Sequence, residues 1–304
     1  MGGWEVVALD RRPPAAELDL AGLRYHQIDV RDAGRVAELM KGVDTVFHLA
    51  SIHLEVGESA SVFEDVNVGA VRGIVSASAR AGVRRFVHTS SVGIYGHVTE
   101  PPADESAPKN PGTTYERTKL RGEEAALQTA AERDVDLVVV RPAWVYGPGC
   151  PRTAKLSRAL RKGRFFYIGD GSNLRHPLFI DDMVDAFLAA TDAPERARGK
   201  AYIIGGPRYM PLREMVETFA RVLSVPPPRL TVPARLAGGL GLAAEFSFGL
   251  LKREPPFSRR SITFFENDNA FDTSAAARDL GFQARVDLEE GLRRTFGANG
   301  MKPA

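Results

Sequence analysis

Apolar positions in the first half of the chain fall into short continuous runs, separated by longer stretches in which they recur every three or four residues. The runs Glu5–Asp10, Leu23–Asp29, Asp44–Ala50, Arg85–Ser90 and Asp136–Arg141 predict strands, and Asp32–Lys41, Val62–Ala81 and Thr114–Arg133 predict helices. Runs with no alternating polar positions belong to strands buried on both faces, as in a parallel sheet covered by helices. The pattern predicts an α/β fold built on a doubly wound parallel sheet.

Beyond Pro142 the texture changes: Gly and Pro become frequent (YGPGCP, GDGS, GGPRYMP, VPPPRL), strands shorten and helices scatter. This predicts a doubly wound domain over 1–142 and a smaller α/β substrate region over 143–304, partly interleaved with the first. The most apolar stretch, Leu236–Leu251, holds four glycines and Glu245. It is shorter than the roughly 20 apolar residues of a membrane span. It reads as a buried or lid helix, with a helix lying on a membrane surface as the alternative. The N-terminus carries neither a basic leader nor an apolar signal core.

Composition narrows the function classes. With 44% apolar and 26% charged residues the chain is an ordinary globular one, and 40 Lys plus Arg against 38 Asp plus Glu leave no basic excess for nucleic acid. Cys150 is the only cysteine, so no intrachain disulfide forms, and a reducing, cytoplasmic location is expected. The scattered histidines, His53 among them, show no metal-ligand spacing, and no metal is expected.

The segment Thr113-Thr-Tyr-Glu-Arg-Thr-Lys119 carries the strongest chemistry. Thr113 and Glu116 form a capping-box pair, which starts a helix here. Tyr115 and Lys119 then lie four residues apart on one helical face. A cation held beside a phenol favours the phenolate, which suits Tyr115 to move a proton at a hydroxyl or carbonyl. A solvated helix face is the bland alternative. Against it stands Thr89-Ser90-Ser91, just after a predicted parallel strand, where ligands of such sheets sit. Ser91 could bond the same substrate oxygen, or merely cap the strand end.

These residues, with VVALDRRP at 6–13, IDVRD at 28–32, VFHLAS at 46–51, VNVGAVRGI at 66–74, HTSSVGIYG at 88–96, RPAWVYGPG at 141–149, GDGSNLRHPLFIDDMVDAF at 169–187 and FDTSAAARDLGF at 271–282, make the chain resemble the extended short-chain dehydrogenases/reductases, the NAD-dependent epimerase/dehydratase family. The resemblance implies a Rossmann-like domain, NAD as cofactor and a homodimer acting on a small molecule. It implies Ser91, Tyr115 and Lys119 as the catalytic set, with Tyr115 and Lys119 also touching the cofactor. Asp10 would accept the adenosine-ribose hydroxyls and repel a 2′-phosphate, which favours NAD over NADP although Arg11 and Arg12 follow it. Asp29 and Val30 would flank the adenine, Leu49, Ala50 and Ser51 would line the pyrophosphate and ribose, Asn67 would brace that wall, and Pro142 would line the nicotinamide pocket.

One departure stands out. The family opens with a strand, a G-x-x-G-x-x-G loop and a helix before the Asp10 strand, but Asp10 follows Met1 by only nine residues. About 25 residues of a β-loop-α segment are missing, including the backbone N–H groups that would hold a pyrophosphate. That first strand belongs between the Asp10 strand and the Asp44–Ala50 strand, so a gap in the sheet or a re-docked strand pair is expected. The favoured explanation is a start codon placed too far downstream. A chain that folds with weakened cofactor affinity and a degenerate copy are the alternatives.

For the substrate, Arg175 resembles a family arginine that grips nucleotide-sugar diphosphates, or else bridges Asp181 or Asp182. Trp144 stands where nucleotide-sugar enzymes carry an Asn, and it adds apolar area. Plain core is an equal alternative for Trp144, but the 236–251 stretch and the REPPFSRR that follows resemble hydroxysteroid- and sterol-dehydrogenase relatives. An apolar ring alcohol oxidised with NAD is therefore expected. A nucleotide-sugar epimerase or dehydratase and a non-catalytic dinucleotide sensor are the alternatives.

Overall fold

A computed structural model describes residues 3–14, 21–53, 58–233, 264–265 and 267–297. The expectations for Leu236–Leu251 and the REPPFSRR run lie outside the described residues. In chain order the elements are β1 (Val6–Asp10), β2 (Leu23–Gln27), α1 (Ala33–Leu39), β3 (Thr45–His48), α2 (Ala60–Glu64), a π turn (Asp65–Gly69), α3 (Ala70–Ala81), β4 (Arg85–Thr89), α4 (Thr114–Arg133) and β5 (Leu137–Pro142). They continue with β6 (Trp144–Tyr146), α5 (Pro151–Arg161), β7 (Tyr167–Ile168), β8 (Leu174–Arg175), β9 (Pro177–Phe179), α6 (Ile180–Thr191), β10 (Ala201–Ile204), β11 (Met210–Pro211), α7 (Leu212–Val222), β12 (Thr231–Val232), α8 (Ser274–Leu280) and α9 (Leu288–Phe296).

The chain divides into two compact units, one of residues 1–94, 109–141 and 187–202, the other of 95–108, 142–186 and 203–304. The four-stranded sheet lies largely in the first unit. β3, β4 and β5 pair in parallel in the order β10-β5-β4-β3. On one face of this sheet Phe86, Leu137 and Val139 pack against Val71, Ile74 and Val75 of α3 and Ala126 and Ala130 of α4. On the other, Phe47 meets Phe187 of α6 edge-on with ring centroids 5.9 Å apart. Helices on both faces make the doubly wound α/β arrangement that the continuous apolar runs predict.

β1 and β2 form a separate two-stranded parallel sheet, in register from Val6↔Leu23 to Asp10↔Gln27. Among the described residues β1 has no second strand neighbour, and the four-stranded sheet ends at β3. The break therefore falls between β1 and β3. β3 behaves as an edge: Thr45, Val46 and Phe47 are only half-buried, whereas Arg85, Phe86, Val87 and His88 on neighbouring β4 are all buried.

The second unit has its own core, in which Tyr146, Tyr167, Phe179, Phe219, Leu292 and Phe296 are buried together. Its short strands pair two by two: β6 with β9, β8 with β11 and β7 with β12. No described helix is long and apolar enough to cross a membrane.

Candidate active site

α4 begins where the capping box puts it. Thr113 Oγ1 accepts from the Glu116 N–H at 3.2 Å, and Glu116 Oε2 accepts from the N–H groups of Thr113 at 2.8 Å and Gly112 at 2.9 Å. This start presents Tyr115 and Lys119 on consecutive turns. Lys119 is 4% exposed, and its Nζ donates to the Thr89 carbonyl at 2.5 Å, at the carboxyl end of β4. Burial pushes the Lys119 amine down to about 8, while the Glu123 carboxylate pulls it the other way. The Tyr115 ring is half-buried beside the apolar group Ile52, Phe63 and Val66, and stands edge-on to His53 with centroids 4.2 Å apart. Nothing in the sequence singled out His53; it comes to Tyr115 because it lies just past the carboxyl end of β3.

Ser91 opens the turn after β4, and its Oγ accepts from the Gly93 N–H at 3.0 Å. A side chain at Gly93 would meet both Ser91 Oγ at 3.2 Å and Glu116 Cγ at 3.1 Å, so the Ser91 turn lies against the first turn of α4. Ser90 is buried and donates its N–H to the Val140 carbonyl at 2.7 Å, a strand-pairing role.

Asn67 sits in the π turn that interrupts the expected 62–81 helix. Its Oδ1 accepts from Ile52 N–H at 2.9 Å, and its Nδ2 donates to the Ile52 carbonyl at 3.3 Å and to Thr118 Oγ1 at 3.0 Å. One side chain thereby ties the loop after β3, which carries Leu49, Ala50 and Ser51, to the turn of α4 between Tyr115 and Lys119. The extra residue of a π turn re-aims one side chain, and such turns recur at functional sites. Asn67→Ala strips these bonds and leaves the buried Ile52 N–H unpaired. A loss of about 2 kcal/mol is expected, measurable by thermal or urea unfolding.

At the β1 end, Asp10 Oδ1 accepts from the Arg12 N–H at 2.9 Å. Burial raises this carboxyl, but the bonds and charge of Arg12 outweigh it and hold Asp10 below its usual range. The Asp29 carboxylate is gripped by Arg31 through Nε at 3.0 Å and Nη2 at 2.6 Å, which holds it at about 2. Val30 packs beside Ile52 and Phe63, and Leu49 stands 55% exposed at the end of β3. Asp10, Asp29, Val30, Leu49, Ala50, Ser51, Asn67, Ser91, Tyr115 and Lys119 all belong to the first unit.

Pro142, Trp144 and Arg175 belong to the second unit. Trp144 stacks on Tyr146 with centroids 5.9 Å apart and lies 6.3 Å from Phe219, on the margin of that unit's core. Arg175 is buried over the Phe264 ring, 4.5 Å from its centroid, and its Nη1 donates to the Asn267 carbonyl at 3.0 Å. Among the described residues its Nε and Nη2 have no hydrogen-bond partner. Asp182 accepts instead from the N–H groups of Arg285 and Val286, and Asp181 lies 3.4 Å from Arg294 Nη1.

Residues 2–205 match the family described as "NAD dependent epimerase/dehydratase family", well over half of the chain. Over 281 residues the chain is 31% identical to sterol demethylase protein B of Methylococcus capsulatus, covering 89% of this chain and 83% of that one. It is 27% identical over 294 residues to 3beta-hydroxysteroid-dehydrogenase/decarboxylase isoform 1 of Arabidopsis thaliana, covering 90% of this chain and 66% of the relative. Among solved structures, MoeE5 in complex with UDP-glucuronic acid and NAD superposes with a TM-score of 0.74 at 28% identity, over 96% of this chain and 89% of that one. The chain belongs to the NAD-dependent epimerase/dehydratase family of oxidoreductases.

Proposed function

We propose that the protein oxidises a secondary alcohol, or reduces the matching ketone, on an apolar ring of hydroxysteroid or sterol type, with Tyr115 as the acid/base. The observation that carries this reading is the buried Lys119 ammonium, anchored on the Thr89 carbonyl one helical turn from Tyr115. Support for the ring comes from Trp144 stacked on Tyr146, an apolar surface where a diphosphate would want donors, and from the steroid- and sterol-named relatives.

The chain's residues fit NAD at both of its ends. Asp10, 41% exposed at the tip of β1, offers a carboxylate to ribose hydroxyls, and Lys119 offers a cation to the nicotinamide ribose. Bound NAD supplies the hydride acceptor. Tyr115 takes the hydroxyl proton as the carbon–hydrogen bond breaks, Ser91 holds the same oxygen, and Lys119 stabilises the phenolate on Tyr115. Asn67 keeps the wall after β3 in place. A homodimer belongs to the same reading, supported by the family resemblance.

Mixing the protein with NAD⁺ and a panel of 3β-hydroxysteroids tests the proposal: reduced nicotinamide should accumulate in step with ketone. A nucleotide sugar isomerised without net reduced nicotinamide would instead favour the epimerase reading, to which Arg175, whose Nε and Nη2 have no partner among the described residues, lends support. NAD affinity is expected to depend on pH. Lys119 holds its proton below about 8 and loses it as pH rises through that value, so binding should weaken across the same window. Titrations on either side of it check the sign.

A further inference from the structure

Tyr115, Lys119 and Glu123 follow one another at four-residue spacing, on one face of α4. Glu123 is 1% exposed and Arg141, at the end of β5, is 4% exposed. Glu123 Oε1 accepts from Arg141 Nη2 at 2.5 Å and Oε2 from Nε at 3.0 Å, a fork-to-fork grip. β5 is hydrogen-bonded to β4 with Val140 opposite Thr89, the residue whose carbonyl receives Lys119. Thus α4 is fastened by Lys119 to one strand and, a turn later, by Glu123 to the next.

A buried ion pair is a poor source of stability, because desolvation of the two ions offsets much of their attraction. Its place beside Lys119 gives it another use. We propose that Glu123, gripped by Arg141, is a positioning residue for Lys119: its carboxylate keeps the buried amine charged, and Arg141 keeps that carboxylate in place. The inference rests on the reading of Tyr115 and Lys119 as the reacting pair.

The other groups around Lys119 cannot supply this charge. From β3 and β4 come His48 and His88, paired across the strand register with Nδ1 atoms 3.2 Å apart. Burial first, and the Lys119 charge second, push both imidazoles down, His48 to about 3, so both are neutral. From the π turn comes uncharged Asn67. Glu64 and Arg121 pair with each other at 3.0 Å at the surface, where Arg72 and Arg80 of α3 are also exposed. Tyr115 on α4 is the phenol being served. Glu123 is the carboxylate acting on Lys119.

The test is an NMR titration of the ¹³C-labelled lysine side chains, with Lys119 assigned by its Lys119→Arg variant. Glu123→Gln keeps the shape and removes the charge. It should move the Lys119 midpoint to lower pH by about one pH unit, and the pH at which NAD affinity falls should move with it. Should Glu123→Gln not fold, the double variant E123Q/R141M removes both ions together, a replacement that buried pairs tolerate, and should move the midpoint in the same direction. An unchanged Lys119 midpoint in either folded variant overturns the proposal, whatever the melting temperature does. A midpoint that moves while the NAD profile stays put upholds the coupling to Lys119 and instead removes Lys119 from the cofactor site.

Discussion

Tyr115→Phe is expected to lower turnover about a thousand-fold, the range lost when a positioned general acid/base is removed, while NAD affinity and melting temperature stay near those of the parent. The substitution deletes one oxygen and keeps the ring. The ring makes the packing contacts, edge-on to His53 at 4.2 Å and beside Ile52, Phe63 and Val66. Lys119 is held by the Thr89 carbonyl, so its charge remains in place. Steady-state rates with a hydroxysteroid, paired with an NAD titration, separate the two quantities. Turnover within a few-fold of the parent would remove Tyr115 from the chemistry. A joint loss of turnover and NAD affinity would mean that the phenol is a binding group first.

Gly122→Ala is expected to cost about 3 kcal/mol or more, at the upper end of overpacking penalties. A Cβ on Gly122 would lie 2.0 Å from the Asn67 carbonyl oxygen, and backbone cannot swing aside as a flexible side chain can. Relief requires α4 to move off the π turn. That movement would lengthen the Asn67 bond to Thr118 and disturb the wall after β3, so NAD affinity should fall together with stability. Denaturant unfolding and an NAD titration of the same sample measure both. Gly69→Ala is the control: a Cβ there meets only the Glu64 carbonyl oxygen, at 3.9 Å, an ordinary contact. A Gly122→Ala protein as stable as this control would show that α4 does not approach the π turn as closely as described.

Much of this was legible in the order of residues because it is local. The start of α4 follows from Thr113 and Glu116, three residues apart, and the Tyr115–Lys119 spacing needs only a helix to put both on one face. The strands of the first unit were visible as continuous apolar runs. The π turn was not legible, since Phe63, Val66, Ala70 and Ile74 keep an apolar rhythm that an uninterrupted helix would share. For Arg175 the sequence left a diphosphate grip and a bridge to Asp181 or Asp182 as equals. The acidic pair finds its partners around Arg285, Val286 and Arg294, and Arg175 lies over Phe264.

By itself, then, the sequence determined the class of fold, the family and the spacing of Ser91, Tyr115 and Lys119, because periodicity, capping and short motifs are properties of neighbouring residues. Only the tertiary structure decided that Lys119 reaches the Thr89 carbonyl, that Glu123 closes on Arg141, that His48 meets His88 and that His53 lies against Tyr115. Those pairings join different strands, loops and helices. They depend on strand register and on which face of α4 meets the sheet, and the burial that sets the charge on Lys119 exists only once the elements have packed.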